Sequence, residues 1–418
     1  MRCCIVLRSK LWRDTEFLKL WCGQAVSQVG SRITREGLPL TAASVLNARP
    51  LDMGLLSGGV AAAVLVFGLF TGPWIDRLRR RPILIATDMA RALLLATIPF
   101  AAWSGRLGMP LLYAVAAAAG VLSFVFDSAY QSYLPSLVKQ DDLLDGNSKL
   151  AASEAVAEVS GPALSGILIF TLTAPIAILF DAISFLVSAA SLGWIRRPEP
   201  RPEPHSDPNM LREIREGLHA SWRDPVLRPM ACRMAQAAYF GGFMGSLYII
   251  FAIRELKLNP AQLGVVISVG GVAALVGTLL TQPLVRILGI GRTYIAGAIF
   301  GAFGMLFTAL AHGPVWMCCL YLAAAQACDI GWPAANIAEV TIRQSIAPPA
   351  VLGRVNSAMQ MLFRGLLPIG AFTGGALAQS IGIRPVLLIG AAGFLLSSAW
   401  LIASPIRNLR TTASADVL

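Results

Sequence analysis

Apolar runs of about 20 residues recur along the whole chain, and this recurrence limits the fold more than any other feature of the sequence. Leu51–Gly72, Ile83–Trp103, Leu111–Phe126, Ala174–Trp194 and Val386–Ala403 are examples. A helix rises about 1.5 Å per residue, so roughly 20 residues cross a hydrocarbon core of about 30 Å. Composition leads to the same class. Of 418 residues, 56% are hydrophobic and only 14% charged, with a mean hydropathy of +0.66. Soluble domains carry about 25% charged residues and cannot hide so much apolar surface in ordinary cores. The expectation is an all-α polytopic membrane protein.

Glycine, proline and charged breaks divide the chain into twelve spans: 17–46, 51–75, 82–104, 109–138, 143–172, 174–195, 226–254, 260–286, 292–312, 315–342, 352–381 and 384–404. The longest polar interval opens with "RRPEPRPEPHSDPN", a proline-rich stretch that cannot be helical. It continues with Leu211, Ile214, Leu218 and Trp222 at helical spacing, the pattern of a short amphipathic helix on a membrane surface. The expected organisation is an N-terminal segment 1–16, a six-helix bundle 17–195, a linker 196–225, a second bundle 226–404 and a tail 405–418.

The two bundles resemble each other at an offset of about 210 residues. Gly54 falls on Gly264, Thr71 on Thr281, Pro73 on Pro283 and Leu78 on Leu288, while Asn147–Ser148 falls on Asn356–Ser357. Two repeated six-helix halves with a site at their interface are the architecture of a secondary transporter.

The net charge of +11 would suggest nucleic acid in a soluble protein. Here the arginines sit mostly in short loops, so they report topology instead. With both termini inside, inner segments hold roughly 23 lysines and arginines against five outside: Arg49, Arg106, Arg254, Lys257 and Arg384. Both termini are therefore expected in the cytoplasm of a bacterial inner-membrane protein, with no nucleic-acid partner. The N-terminus lacks the pattern of a cleaved signal peptide. Seven cysteines lie mainly in or beside apolar spans, without disulfide or metal spacing, and are expected as buried thiols. No phosphate-binding loop, metal cluster or nucleophile triad appears, so neither enzyme nor bound metal is expected.

One loop does more than mark topology. "GPWIDRLRRRP" places Gly72, Asp76, Arg77, Arg80 and Arg81 between the second and third spans. The spacing resembles the signature loop of the major facilitator superfamily, with Arg79 where that motif often has glycine. "FVFDSAYQSYLPSLV", "GNSKLAASEAVAEVSGPALSGIL" and "LGRVNSAMQMLFRGLLPIGAFTGGALA" are similar to the branch containing macrolide and siderophore (enterobactin) exporters. The resemblance runs from about Phe17 to Ser404. It implies twelve transmembrane helices in two pseudo-symmetric halves and a glycine-rich packing element in the fifth helix, here Gly161, Pro162 and Gly166 with Ser165. It also implies that Asp76 caps the eleventh helix, which begins near Gly353, Arg354 and Val355, as a cytoplasmic latch. Asp88 and Arg91 in the third span are read as support for that loop.

Ionisable groups at membrane depth are costly and mark function by default. Glu154 and Glu158 lie one turn apart on one face of the fifth span, where two carboxylates cannot both ionise easily. Asp127 in the fourth span sits at similar depth, with Asp181 and Asp329 as weaker candidates. Two readings stay open for the acids: proton carriers, or hydrogen-bonded locks between helices. In the first span Arg32 and Glu36 stand at i, i+4, and Arg35 needs a partner elsewhere, for which the fifth-span acids are suited. Binding an anionic substrate, switching partners on protonation and simple packing all remain open for this network.

The expected function is proton-coupled export of a small hydrophobic or amphipathic compound by alternating access, by a monomer whose partners are substrate, protons and membrane lipids, with no cofactor beyond the proton gradient. Uptake by the same fold, or a non-pumping membrane sensor or lipid-handling role, are the alternatives.

Overall fold

The computed structural model describes residues 10–76, 78–139, 142–197, 199, 218–219, 221–347 and 349–410, without side-chain detail for 68–76, 132, 144 and 349–351. Among the described residues there are no strands, and twelve long helices account for the architecture. The first six are α1 (Thr15–Leu40), α2 (Pro50–Asp76), α3 (Arg80–Trp103), α4 (Met109–Leu137), α5 (Leu143–Leu172) and α6 (Ala174–Gly193). The second six are α7 (Leu227–Arg254), α8 (Pro260–Leu288), α9 (Ile290–Leu310), α10 (Val315–Ala327 and Gly331–Ile346), α11 (Pro349–Ile381) and α12 (Ile383–Leu396, continuing at Ala399–Ile402). Among the described residues eleven helical spans are long and apolar enough to cross a membrane, and α1 is kept out of that set by its polarity. The chain is a multi-pass membrane protein.

Local chemistry explains several boundaries. Asp14 caps α1 by accepting from the backbone N–H groups of Glu16 at 3.0 Å and Phe17 at 3.4 Å. Asp224 does the same for α7 through Val226 and Leu227, both at 2.8 Å. Asn259 and Gln262 form a reciprocal capping box at α8, with Pro260 in its first turn. Two helices depart from a simple rod. The α-helical part of the first span ends at Leu40, short of the expected 46, and widens into a π turn at Thr41–Val45 just after Pro39. α10 is interrupted by a 3₁₀ turn at Cys328–Ile330.

Contacts divide the chain into two units, Met1–Leu46 with Ala63–Asp207, and Asn47–Ala62 with Pro208–Leu418. The expected N-terminal bundle therefore does not keep its second helix whole: the first half of α2 belongs with the C-terminal helices. Gly54 permits this, since a Cβ there would stand 2.6 Å from the Ala371 carbonyl oxygen and 3.1 Å from the Gly375 Cα.

Within the first unit, α1 and α6 meet through small residues. Gly23 faces Ser191, Gly30 faces Ser184 and Asp181, and Gly37 faces Ile178, three glycines at seven-residue spacing along one stripe. At one end Leu11, Phe17, Leu84, Phe126, Tyr133 and Leu137 close a core. The second unit has its own, around Met230, Tyr294, Ile342, Val355 and Met359. Internal repetition reaches the backbone. Thr173, between α5 and α6, has φ 87° and ψ 153°, while Gly382, 209 positions on between α11 and α12, has φ 91° and ψ 161°.

Candidate functional site

The ionisable residues of the first unit gather into two clusters. In one, α1 crosses α5 at Gly161. A Cβ there would lie 2.6 Å from Arg32 Cγ and 2.7 Å from Arg32 Cβ, so the glycine is what lets the arginine stem pass. The Arg32 guanidinium then reaches Glu158, three positions earlier on α5, and pairs with it. Arg35 Nη1 stands 3.9 Å from the second Glu158 oxygen. Exposure is graded through the cluster: 15% for the Arg32 side chain, 44% for Glu158 and 65% for Arg35. Ser165, one turn on from Gly161, is buried with its hydroxyl unpaired. Pro162 and Gly166 are buried beside it.

Arg32 does not pair with Glu36, although their i, i+4 spacing allows it. Helical side chains lean toward the N-terminus, so Arg32 leans away from a residue four positions later and takes its partner from the facing helix instead. Glu36 stays half-buried, in the field of Arg35, Arg32 and Glu158. Glu154 is exposed one turn before Glu158 and acts electrostatically on Arg32 and on Tyr130 of α4. Asp127 is likewise exposed, and its charge is felt by Arg91 and Tyr130.

The second cluster lies between α3, α4 and α6. Asp88 and Arg91 pair with each other, at 0% and 5% side-chain exposure. The Arg91 guanidinium lies over Phe185 at 4.0 Å and Phe126 at 4.4 Å, and donates to Ser123 Oγ at 3.3 Å. Asp181, buried on α6, accepts from Ser184 Oγ at 3.0 Å and faces the Thr34 hydroxyl of α1. Among the described residues, the partners of Asp88 and Arg91 lie in the helix interior, and the charge of Asp181 acts on Arg91.

Support for the basic loop comes from elsewhere. Glu199, just past α6, accepts from the backbone N–H of Arg80 at 2.6 Å and of Arg81 at 3.0 Å, capping α3. Arg81 in turn donates to the Leu192 and Gly193 carbonyls at 2.9 and 2.6 Å, closing the end of α6. The same strap holds Arg197 against Asp14 at 3.1 Å and places the Arg196 N–H 2.6 Å from Glu16. Lys19 at 2.6 Å, then the N–H groups of Arg196 and Arg197, hold the Glu16 carboxyl below the ordinary glutamate range. The side chains of Gly72 and Asp76, residue Arg77, and with them the expected Asp76 latch, lie outside the described residues, as do Leu211 and Ile214 of the linker.

The second unit holds charges that the sequence reading passed over. Glu339 on α10 faces Arg343 at 3.3 Å, Arg233 on α7 at 3.9 Å and the Tyr294 hydroxyl at 3.2 Å. All three charged side chains are more than nine-tenths exposed to protein rather than solvent. The depth rule applied to the first bundle would have found them, but Arg233 and Arg343 sit close enough to their helix ends to read as loop charges. Arg364 on α11 is exposed. The same unit contains a cavity of about 1100 Å³ walled by Trp222, Tyr239, Phe240, Leu362, Leu366 and Trp400. Gln236 in its wall is already satisfied, donating to the Gly393 carbonyl and accepting from Trp400 Nε1, both at 2.8 Å. Phe243 and Phe251 are core residues of this unit. Among the described residues no three His, Cys, Asp or Glu side chains are placed to hold a metal ion.

Twelve long helices with ion pairs between them are an architecture that suits transport, and comparison with known proteins places the chain. The sequence profile of the Major Facilitator Superfamily matches residues 20–371. The chain belongs to that superfamily and is a transporter, not an enzyme. It is 25% identical over 399 residues to the uncharacterized MFS-type transporter YfiS of Bacillus subtilis (strain 168), covering 92% of each chain. It is 26% identical over 369 residues to the multidrug efflux pump Tap of Mycolicibacterium fortuitum, covering 84% of this chain and 88% of that one. Among solved structures, an inward-facing bacterial homologue of the iron transporter ferroportin superposes with a TM-score of 0.75 at 19% identity, over 93% of this chain and 98% of that one. At that identity the likeness is one of fold.

Proposed function

We infer that the chain is a proton-coupled exporter of small hydrophobic or amphipathic compounds, working by alternating access in a bacterial inner membrane with both termini in the cytoplasm. The observation that carries this reading is Glu158, a single carboxylate shared by Arg32 and Arg35 at membrane depth. Protonating it removes the counter-charge of two arginines at once, which makes the α1–α5 contact sensitive to a proton. Glu154, Glu36 and Asp127 supply further acids around it. A cavity of about 1100 Å³ with an aromatic and aliphatic wall fits an apolar cargo, and one relative is named a multidrug efflux pump. The excess of lysine and arginine in alternate loops supports the orientation. Protons and a small molecule are then its partners, and no cofactor is required.

The test is transport by proteoliposomes of Hoechst 33342, ethidium and erythromycin under an imposed pH gradient. Gradient-driven movement of at least one, abolished by Glu158→Gln, is expected. Transport indifferent to the gradient removes proton coupling, and transport of none removes the cargo class.

A further inference from the structure

We propose that a second, small pocket in the C-terminal unit binds an anionic group, a carboxylate or a phosphate ester, on an otherwise apolar ligand. The pocket, about 200 Å³, opens among α7, α10, α11 and α12, with Arg233, Glu339, Asn336 and Gln360 on its polar side and Trp332 and Phe363 on its apolar side. It is smaller than the roughly 300–1,000 Å³ that encloses a drug-sized molecule, so it suits a headgroup.

Charge balance is the first argument. Arg233 and Arg343 converge on one acid, Glu339. From 226 to 404 the sequence contains only two other acids, Glu255 and Asp329. Glu255 is taken by Arg384 at 3.7 Å, and Asp329 lies across α10's 3₁₀ turn beside Gly270. The cluster thus keeps an uncompensated positive charge in a setting where buried charges are paired. Hydrogen bonding is the second argument. Arg233 is 5% exposed, lines the pocket, and its Nε lacks a hydrogen-bond partner, as does that of Arg343. Its guanidinium, 5.2 Å over the Tyr294 ring and 3.5 Å from that hydroxyl, is held in place without its donors being exhausted. A planar, pre-positioned guanidinium beside two carboxamides is suited to accept a bidentate oxyanion.

The experiment measures binding of radiolabelled salicylate to the full-length protein in phosphatidylcholine nanodiscs, with salicylamide as the uncharged competitor. Saturable binding is expected, with salicylamide competing at least tenfold more weakly. Arg233→Gln should weaken binding by tenfold or more. Asn336→Phe, which fills the pocket without touching an ion pair, should do so too and keeps the test open where Arg233→Gln does not fold. A second set of nanodiscs contains phosphatidylglycerol. Loss of salicylate binding there assigns the pocket to a lipid headgroup, and retention assigns it to a soluble anion; both support an anion site. Absence of saturable binding in phosphatidylcholine, equal competition by salicylamide, or unchanged affinity in folded Arg233→Gln or Asn336→Phe overturns it. Because no pH gradient is used, this outcome is independent of proton coupling.

Discussion

Removing the Glu158 charge should separate the two arginines that share it. Arg35 stands 3.9 Å from its oxygen. Coulomb's law at that distance gives about 4 kcal/mol at an effective dielectric of 20 and about 1 kcal/mol in water. Arg35 is 65% exposed, so its coupling belongs at the watery limit, below about 1 kcal/mol. Arg32 is closer and only 15% exposed, while Glu158 itself is 44% exposed. Its coupling should therefore fall between the surface value and the roughly 3–5 kcal/mol lost when one partner of a fully buried pair is removed, at about 1.5–3 kcal/mol. Two double-mutant cycles measure these terms: Arg32→Gln with Glu158→Gln, and Arg35→Gln with Glu158→Gln. Reversible unfolding in mixed micelles, followed by tryptophan fluorescence, gives the four stabilities of each cycle. An Arg35 coupling equal to or larger than that of Arg32, or no Arg32 coupling at all, refutes the geometry on which the proton reading rests.

Other expectations follow from single positions. Gly161→Ala puts a methyl 2.6 Å from Arg32 Cγ and should cost about 1–3 kcal/mol of stability by overpacking, whereas Gly193→Ala, with nothing within 4 Å, should cost little; micellar unfolding of both checks this. Thr173→Gly should stabilise by about 1 kcal/mol, since φ 87° with ψ 153° is a region that glycine alone occupies without strain. Glu16, held below its ordinary value of 4.5, contributes stability that is present above that value and lost as pH falls through the lowered one. Stability of the wild type should therefore fall more steeply below about pH 4.5 than that of Glu16→Gln, in denaturation series from pH 7 to pH 3.

Much of this was legible in the sequence, for a physical reason. Membrane depth makes apolar length the dominant signal, so the spans and their breaks could be read directly. The offset that aligns Asn147 with Asn356 also aligns Thr173 with Gly382, and the backbone repeats there. Side-chain pairing was less legible because it is settled by the facing helix. Spacing along α1 allows Arg32 to reach Glu36, yet the gap left by Gly161 lets it pair with Glu158. Sequence distance places Asp88 and Arg91 near the basic loop, whereas Phe126 of α4 and Phe185 of α6, which flank the Arg91 guanidinium, are visible only in the fold. Glu199 looked like part of a solvated proline-rich stretch, and only the folded strap brings it to the free N–H groups of α3. Glu339 and Arg343 stand at i, i+4 on α10, but Arg233 lies more than a hundred positions away, so only half of that cluster is local in the sequence.

The central claim is that Glu158 couples cargo to protons. It is tested most directly by recording lumenal pH with trapped pyranine in proteoliposomes while a transported dye is added. Wild-type protein should show dye-stimulated proton movement opposite to the dye, and Glu158→Gln should move dye down its own gradient with no proton signal. Undiminished proton movement in Glu158→Gln would contradict the account.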